Sequence, residues 1–129
     1  MNNKMPEDTY ALVFLYRIPK KKHDSFKVVE EKLAKIYKKH GMLDSRIYQL
    51  GKTSTDGFTG LEAFDKALGV PSDEEVWIET GFYPSRDDYQ RIVGSIGQDE
   101  SAGPLWGEMA QILDGRRTMM GEFMQLLKG

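Results

Sequence analysis

From Tyr10 to Ile18 the chain reads YALVFLYRI, apolar on both of the faces that an extended segment presents. Tyr10, Leu12, Phe14, Tyr16 and Ile18 share one face, and Ala11, Val13, Leu15 and Arg17 the other. The aromatic and β-branched residues, with Pro19 next, predict a strand. Apolar on two sides, it belongs at the centre of a sheet and needs cover on both. The period then changes. Between His23 and His40, Phe26, Val29, Leu33, Ile36, Tyr37 and His40 recur at steps of three and four, while Glu30, Glu31, Lys32, Lys35, Lys38 and Lys39 fill much of the remainder. This is an amphipathic helix, with Asp24 or Ser25 available as a cap and Gly41 as a stop.

Leu43 to Gly51 alternates again and predicts a second strand. Lys52 to Gly60 is loop, and Leu61 to Leu68 reads as a short helix ended by Gly69 and Pro71. A third strand follows from Glu75 to Tyr83, with Val76, Ile78, Thr80 and Phe82 on one face and Trp77, Glu79, Gly81 and Tyr83 on the other. Ser85 and Asp88 have capping-box spacing. Tyr89, Ile92, Val93 and Ile96 then predict a second amphipathic helix, with Gly97 as its stop. Gln98 to Pro104 reads as loop, Leu105 to Leu113 as a short helix, Asp114-Gly115 as a turn, and Arg116 to Leu127 as the last strand.

The resulting order, βαββαβ, predicts an α+β ferredoxin-like sandwich: a four-stranded antiparallel sheet with two helices on one face. Two helices cover one side only. The other is expected to keep part of the first strand, Trp77, Tyr83 and the methionines of the last strand. A second copy is the simplest cover for such a face, which predicts a homodimer in the form of a dimeric α/β barrel.

At 129 residues the chain is expected to be one domain over 1–129, with a polar tail at 1–8 and loop or short-helix insertions at 52–74 and 98–115. Hydrophobic residues at 40% and charged residues at 29% exclude a disordered chain. The chain has no cysteine, which excludes disulfides, zinc–thiolate sites and thiol catalysis. With only 2 histidines, no multi-histidine metal site can form in one chain; neither metal nor cofactor is expected. A net charge of −2 offers no global attraction for nucleic acid, and no RNA partner is expected. Lys20, Lys21 and Lys22 are either a solvated turn or a phosphate contact. Met1 to Asp8 lacks the apolar stretch of a leader, and no apolar run approaches the ~20 residues of a membrane span. A cytoplasmic protein without a membrane partner is the expectation.

Several segments resemble the YbaA-like family of uncharacterised bacterial proteins, which belong to the dimeric α/β-barrel group. They are Lys39-His40-Gly41 leading to Arg46, Phe82-Tyr83-Pro84-Ser85-Arg86, Asp114-Gly115-Arg116-Arg117, and Gly121 with Phe123. The resemblance runs from about Tyr10 to Phe123. It departs at Tyr48, near the place where that family usually carries a cysteine, and at Gly121-Glu122, where it tends to Gly-Gly. It implies fold and dimerisation and carries no activity with it.

No lipase-type serine motif, zinc-protease motif or phosphate-binding glycine loop is present. Catalytic candidates are therefore His40, Arg46, Tyr48, Glu79 and Tyr83. His40 is either a structural residue at a helix C-terminus or a proton carrier. If the strand faces bearing Arg46 with Tyr48 and Glu79 with Trp77 and Tyr83 coincide, Arg46 and Glu79 form the polar floor of an aromatic cavity. Glu79 is then a base of raised pKa. The alternative is a plain ion pair across strands or across the dimer. Trp77, Arg86 and Arg117 are candidate ligand contacts, the arginines as bidentate anion binders or as bridges to Asp87, Asp88 and Asp114. The functional expectation is a homodimer that binds a small apolar or aromatic molecule between sheet and partner. The alternative is a cofactor-independent enzyme, monooxygenase- or isomerase-like, that uses a few polar groups in an apolar cavity.

Overall fold

The computed structural model describes residues 9–128; the expected tail at 1–8 lies outside them. The elements run β1 (Tyr10–Pro19), a 3₁₀ turn (Lys20–Lys22), α1 (His23–Lys39), β2 (Asp44–Gln49), α2 (Phe64–Leu68), β3 (Glu74–Tyr83), α3 (Arg86–Gly97), α4 (Ala102–Leu113) and β4 (Met119–Met124). The four strands form one antiparallel sheet in the order β2-β3-β1-β4, with the two longest strands at its centre. The α+β, ferredoxin-like expectation therefore holds. Among the described residues no barrel closes, because β2 and β4 remain open edges of the sheet.

The register fixes the two faces. Tyr16 lies opposite Trp77, Phe14 opposite Glu79, Leu12 opposite Gly81 and Ile47 opposite Glu79. This set faces the helices. Phe26 of α1 packs with Tyr16, Ile18 and Trp77; Ile92 and Ile96 of α3 pack with Tyr10, Leu12 and Tyr83; and Leu105 of α4 joins Val29 and Leu33. Three long helices thus cover this face, where the sequence predicts two. The third is α4. Its first turn holds Gly103-Pro104, which reads as loop. A proline there costs little, since the first amides of a helix have no intrahelical acceptor. Ala102, fully buried, extends the stripe of Leu105, Met109 and Ile112 one turn backwards.

Trp77 and Tyr83 are core residues of the helix side, 3% and 1% exposed, which corrects their expected place on the bare face. The bare face consists of Ala11, Val13 and Leu15 of β1 with Ile78, Thr80, Phe82, Tyr48, Met119 and Phe123. The segment between β2 and β3 straps one end of it: Arg17 Nη2 donates to the Leu68 carbonyl at 2.5 Å, and the Lys20 amide to that of Asp73 at 2.9 Å.

Caps follow the sequence in part. Ser85 Oγ accepts the Asp88 amide at 3.1 Å and donates to the Asp88 carboxylate at 2.7 Å, completing the cap of α3. Neither Asp24 nor Ser25 caps α1, which continues directly from the 3₁₀ turn. Gly41 ends α1 at φ +119°, where a side chain would also press on Ile92. Helix α3 continues through Gly97. Strand β4 is shorter than the sequence suggests, because the Arg116 amide turns back onto the Leu113 carbonyl at 2.8 Å.

Candidate functional site

A cavity of about 340 Å³ lies among β1, β3, α1 and α4. Leu12, Leu33, Met42, Met109 and Leu113 make much of its wall, and Phe14, Tyr16, Tyr37, Tyr83 and Trp106 supply aromatic surface. Among the described residues that line it, Glu30 and Glu79 are the only acids, and no Lys, Arg or His takes part. The cavity therefore sits beneath the helices of one chain, not between the sheet and a partner as the sequence reading places it.

Helix α1 delivers Glu30 beside Val29, one turn from Phe26 and Leu33, so that it is 1% exposed. Neither of its carboxylate oxygens has a hydrogen-bond donor among the described residues. Strand β3 delivers Glu79 opposite Phe14, and Tyr16 donates its hydroxyl to Glu79 Oε1 at 2.9 Å. Burial, and after it the nearby Glu79 carboxyl, push the Glu30 carboxyl up to about 10. Glu30 is accordingly a neutral acid at pH 7. Burial and then the charge of Glu79 raise the Tyr16 phenol far above its ordinary value. Burial is also the leading cause of the upward shifts of Tyr37 and Tyr83. The phenols are donors throughout the physiological range. An acid, a carboxylate acceptor and aligned phenols thus meet in an apolar chamber, where they can hold a polar group or move a proton.

A second hollow of about 380 Å³ lies between α1 and β2, lined by His23, Lys27, Glu31, Gln49 and Trp77, with Glu30 on its boundary. His23 Nδ1 lies 2.6 Å from Glu75 Oε1, and Trp77 Nε1 donates to the same oxygen at 2.9 Å. The Trp77 ring packs edge-to-face on Phe26 and His23.

Of the residues singled out in the sequence, Glu79 and Tyr83 enter the cavity and Trp77 enters the second hollow. Arg46 and Tyr48 do not join them. Register sets Arg46 opposite Thr80 and Tyr48 opposite Ile78, on the bare face, while Glu79 points to the helices. A polar floor of Arg46 with Glu79 is ruled out by that alternation, and Arg46 instead donates to Asp44 Oδ2 at 3.1 Å. His40 Nε2 lies 2.7 Å from Asp99 Oδ2, clasping the end of α1 to the link between α3 and α4, away from the cavity. The Ser101 hydroxyl, followed by His40, holds the Asp99 carboxyl well below the usual carboxylate range. Arg86 is exposed at the start of α3 and Arg117 is exposed ahead of β4; neither lines the cavity. Arg116 is engaged by Glu74 Oε2 at 2.8 Å.

The sequence reading passes over Glu30, Tyr16 and Tyr37 as functional groups. A signal for Glu30 is present: it stands four residues after Phe26 and three before Leu33, inside the apolar stripe. Among the described residues no group of three or more His, Asp or Glu is placed to hold a metal ion, and no helix is long and apolar enough to cross a membrane.

A family model described as a protein of unknown function, DUF1428, matches residues 9–114. No curated protein matches the chain in sequence. Among solved structures, a dimeric ferredoxin-like protein from an uncultured marine organism aligns with a TM-score of 0.61 at 11% identity, covering 95% of this chain and 98% of that one. SnoaB, a cofactor-independent oxygenase from Streptomyces nogalater, aligns with a TM-score of 0.53 at 10% identity, covering 95% of each chain. At such identities the likeness is one of fold.

Proposed function

We propose, for a chain that belongs to the DUF1428 family of proteins of unknown function, that it binds a small, largely apolar or aromatic molecule in the cavity under its helices, as one half of a homodimer. The observation that carries this is the empty space beside Glu30. A buried carboxyl without a partner is costly even when neutral, by about 1–3 kcal/mol. A leucine at this position and larger neighbours would remove both the cost and the space. An apolar chamber that retains a few converging polar groups is the ordinary design of a small-molecule site. The dimer is supported by the bare apolar face and by the ferredoxin-like neighbour described as dimeric. Two bare faces in contact would make the dimeric α/β barrel that the YbaA-like resemblance implies.

The methionines provide the test. Met42 and Met109 line the cavity, whereas Met119 lies on the bare face. In the full-length chain labelled at methionine methyls, titration with indole or 2-naphthol is expected to shift the Met42 and Met109 resonances and leave Met119 in place. Movement of Met119 first would put the binding surface between sheet and partner and overturn the assignment.

A second reading, a cofactor-independent enzyme, is favoured by the Glu30–Glu79–Tyr16 arrangement. The pair suits an isomerase-like step: Glu79 takes a proton from one carbon of the substrate and Glu30 returns one to another, so that no external reactant is needed. For any turnover detected, Glu79→Gln is expected to lower kcat about a hundredfold and Arg46→Ala to leave it unchanged. The reverse pattern would remove the carboxyl pair from the mechanism.

A further inference from the structure

We infer that the cavity selects a ligand carrying a positively charged nitrogen on an aromatic or apolar body, with the ammonium received between Glu30 and Glu79. This rests on the cavity reading above and narrows it to a ligand class. Charge is the first ground. Two carboxyls line the chamber, and among the described residues no cationic side chain does. An anionic ligand meets repulsion, and a neutral one leaves the buried acid as it is.

Unused acceptors are the second ground. Glu30 is 1% exposed and both its oxygens lack donors, and an ammonium brings three N–H groups to that point. The third ground is the wall itself. Phe14 and Tyr16 stack with ring centroids 5.6 Å apart, and Tyr37, Tyr83 and Trp106 complete an aromatic enclosure of the kind that attracts cations through ring faces.

The groups that face Glu30 define how binding responds to pH. They are Glu79 of β3, Tyr16 of β1, and, from its own helix, Tyr37 and the His23, Lys27 and Glu31 that line the second hollow with it. Helix α4 contributes only Trp106, Met109 and Leu113 to the lining. In the empty cavity Glu30 holds a proton. An ammonium replaces that positive charge, so binding releases up to one proton and affinity climbs by as much as about tenfold per pH unit.

Calorimetric titration of the full chain with 2-phenylethylamine, 2-phenylethanol and 3-phenylpropionate separates the possibilities. The amine is expected to bind at least about tenfold more tightly than the alcohol near about pH 8.5, with a smaller advantage near about pH 6.5. Its heat is expected to vary with the ionisation heat of the buffer, marking the released proton. Glu30→Gln is expected to lose both the pH trend and the proton release of amine binding. If the alcohol equals the amine at both values of pH, or the propionate exceeds it, the charge selection is wrong and the cavity stands. If none of the three binds, the cavity reading falls and takes this inference with it.

Discussion

Between about pH 5 and about pH 8 the wild-type protein is expected to lose roughly 2–4 kcal/mol of stability that Glu30→Gln keeps. In the unfolded chain the Glu30 carboxyl titrates at its ordinary 4.5, and in the fold it titrates at about 10. Below the lower value both states are protonated and the burial of the neutral acid contributes in full. As pH rises above it, the unfolded chain gives up a proton that the folded chain retains. Stability then falls by at most about 1.4 kcal/mol per pH unit, until the folded carboxyl also ionises. Glutamine has nearly the same shape and no proton to lose. The two proteins are therefore expected to melt together near pH 5, with the variant higher by roughly 10 °C near pH 8. Comparison with the variant isolates Glu30. The carboxyls of Asp44, Asp88 and Asp99 are shifted downward, so their contribution is lost only in acid and is common to both proteins. Thermal and urea unfolding at the two values of pH provide the check. Parallel curves would mean that Glu30 is ionised in the fold.

The order of elements was legible because hydrophobic period changes cleanly from two to about 3.6 and back along this chain. What the period does not carry is register. Each strand divides into two alternating sets, but nothing local says which set of β2 meets which set of β3, and a slip of one residue exchanges them. Arg46 and Glu79 illustrate the consequence: both sit at sensible positions for a polar floor, yet Ile47, not Arg46, lies opposite Glu79. Strand β1, apolar on both sides, gives no hint of which side the helices take. Glu30 fails for a different reason. A glutamate counts as polar in any pattern, whereas here it behaves as a neutral residue of the stripe that Phe26, Val29 and Leu33 define. Only the third dimension, which sets Glu79 across from it, makes that behaviour intelligible.

Arginine in place of Val13 is expected to turn the proposed dimer into monomers. Val13 pairs with Thr80 on one side and Gly121 on the other, at the middle of the bare face. Around it stand Leu15, Phe82, Ile78 (38% exposed) and Phe123 (55% exposed), too much apolar surface on one side of a sheet to leave in water. In a two-fold assembly every substitution is present twice, so two guanidinium groups would be buried without partners. At about 3 kcal/mol each, the association weakens by roughly 6 kcal/mol, or about four powers of ten in Kd. Sedimentation velocity at micromolar concentration is expected to show a dimer for the wild type and a monomer for Val13→Arg. The variant's fold can be followed independently, because Val13 points away from the cavity and the Met42 and Met109 resonances should stay where they are. A wild type that sediments as a monomer, or a variant that still pairs, would show that β1 does not carry the contact and that the apolar face has some other cover.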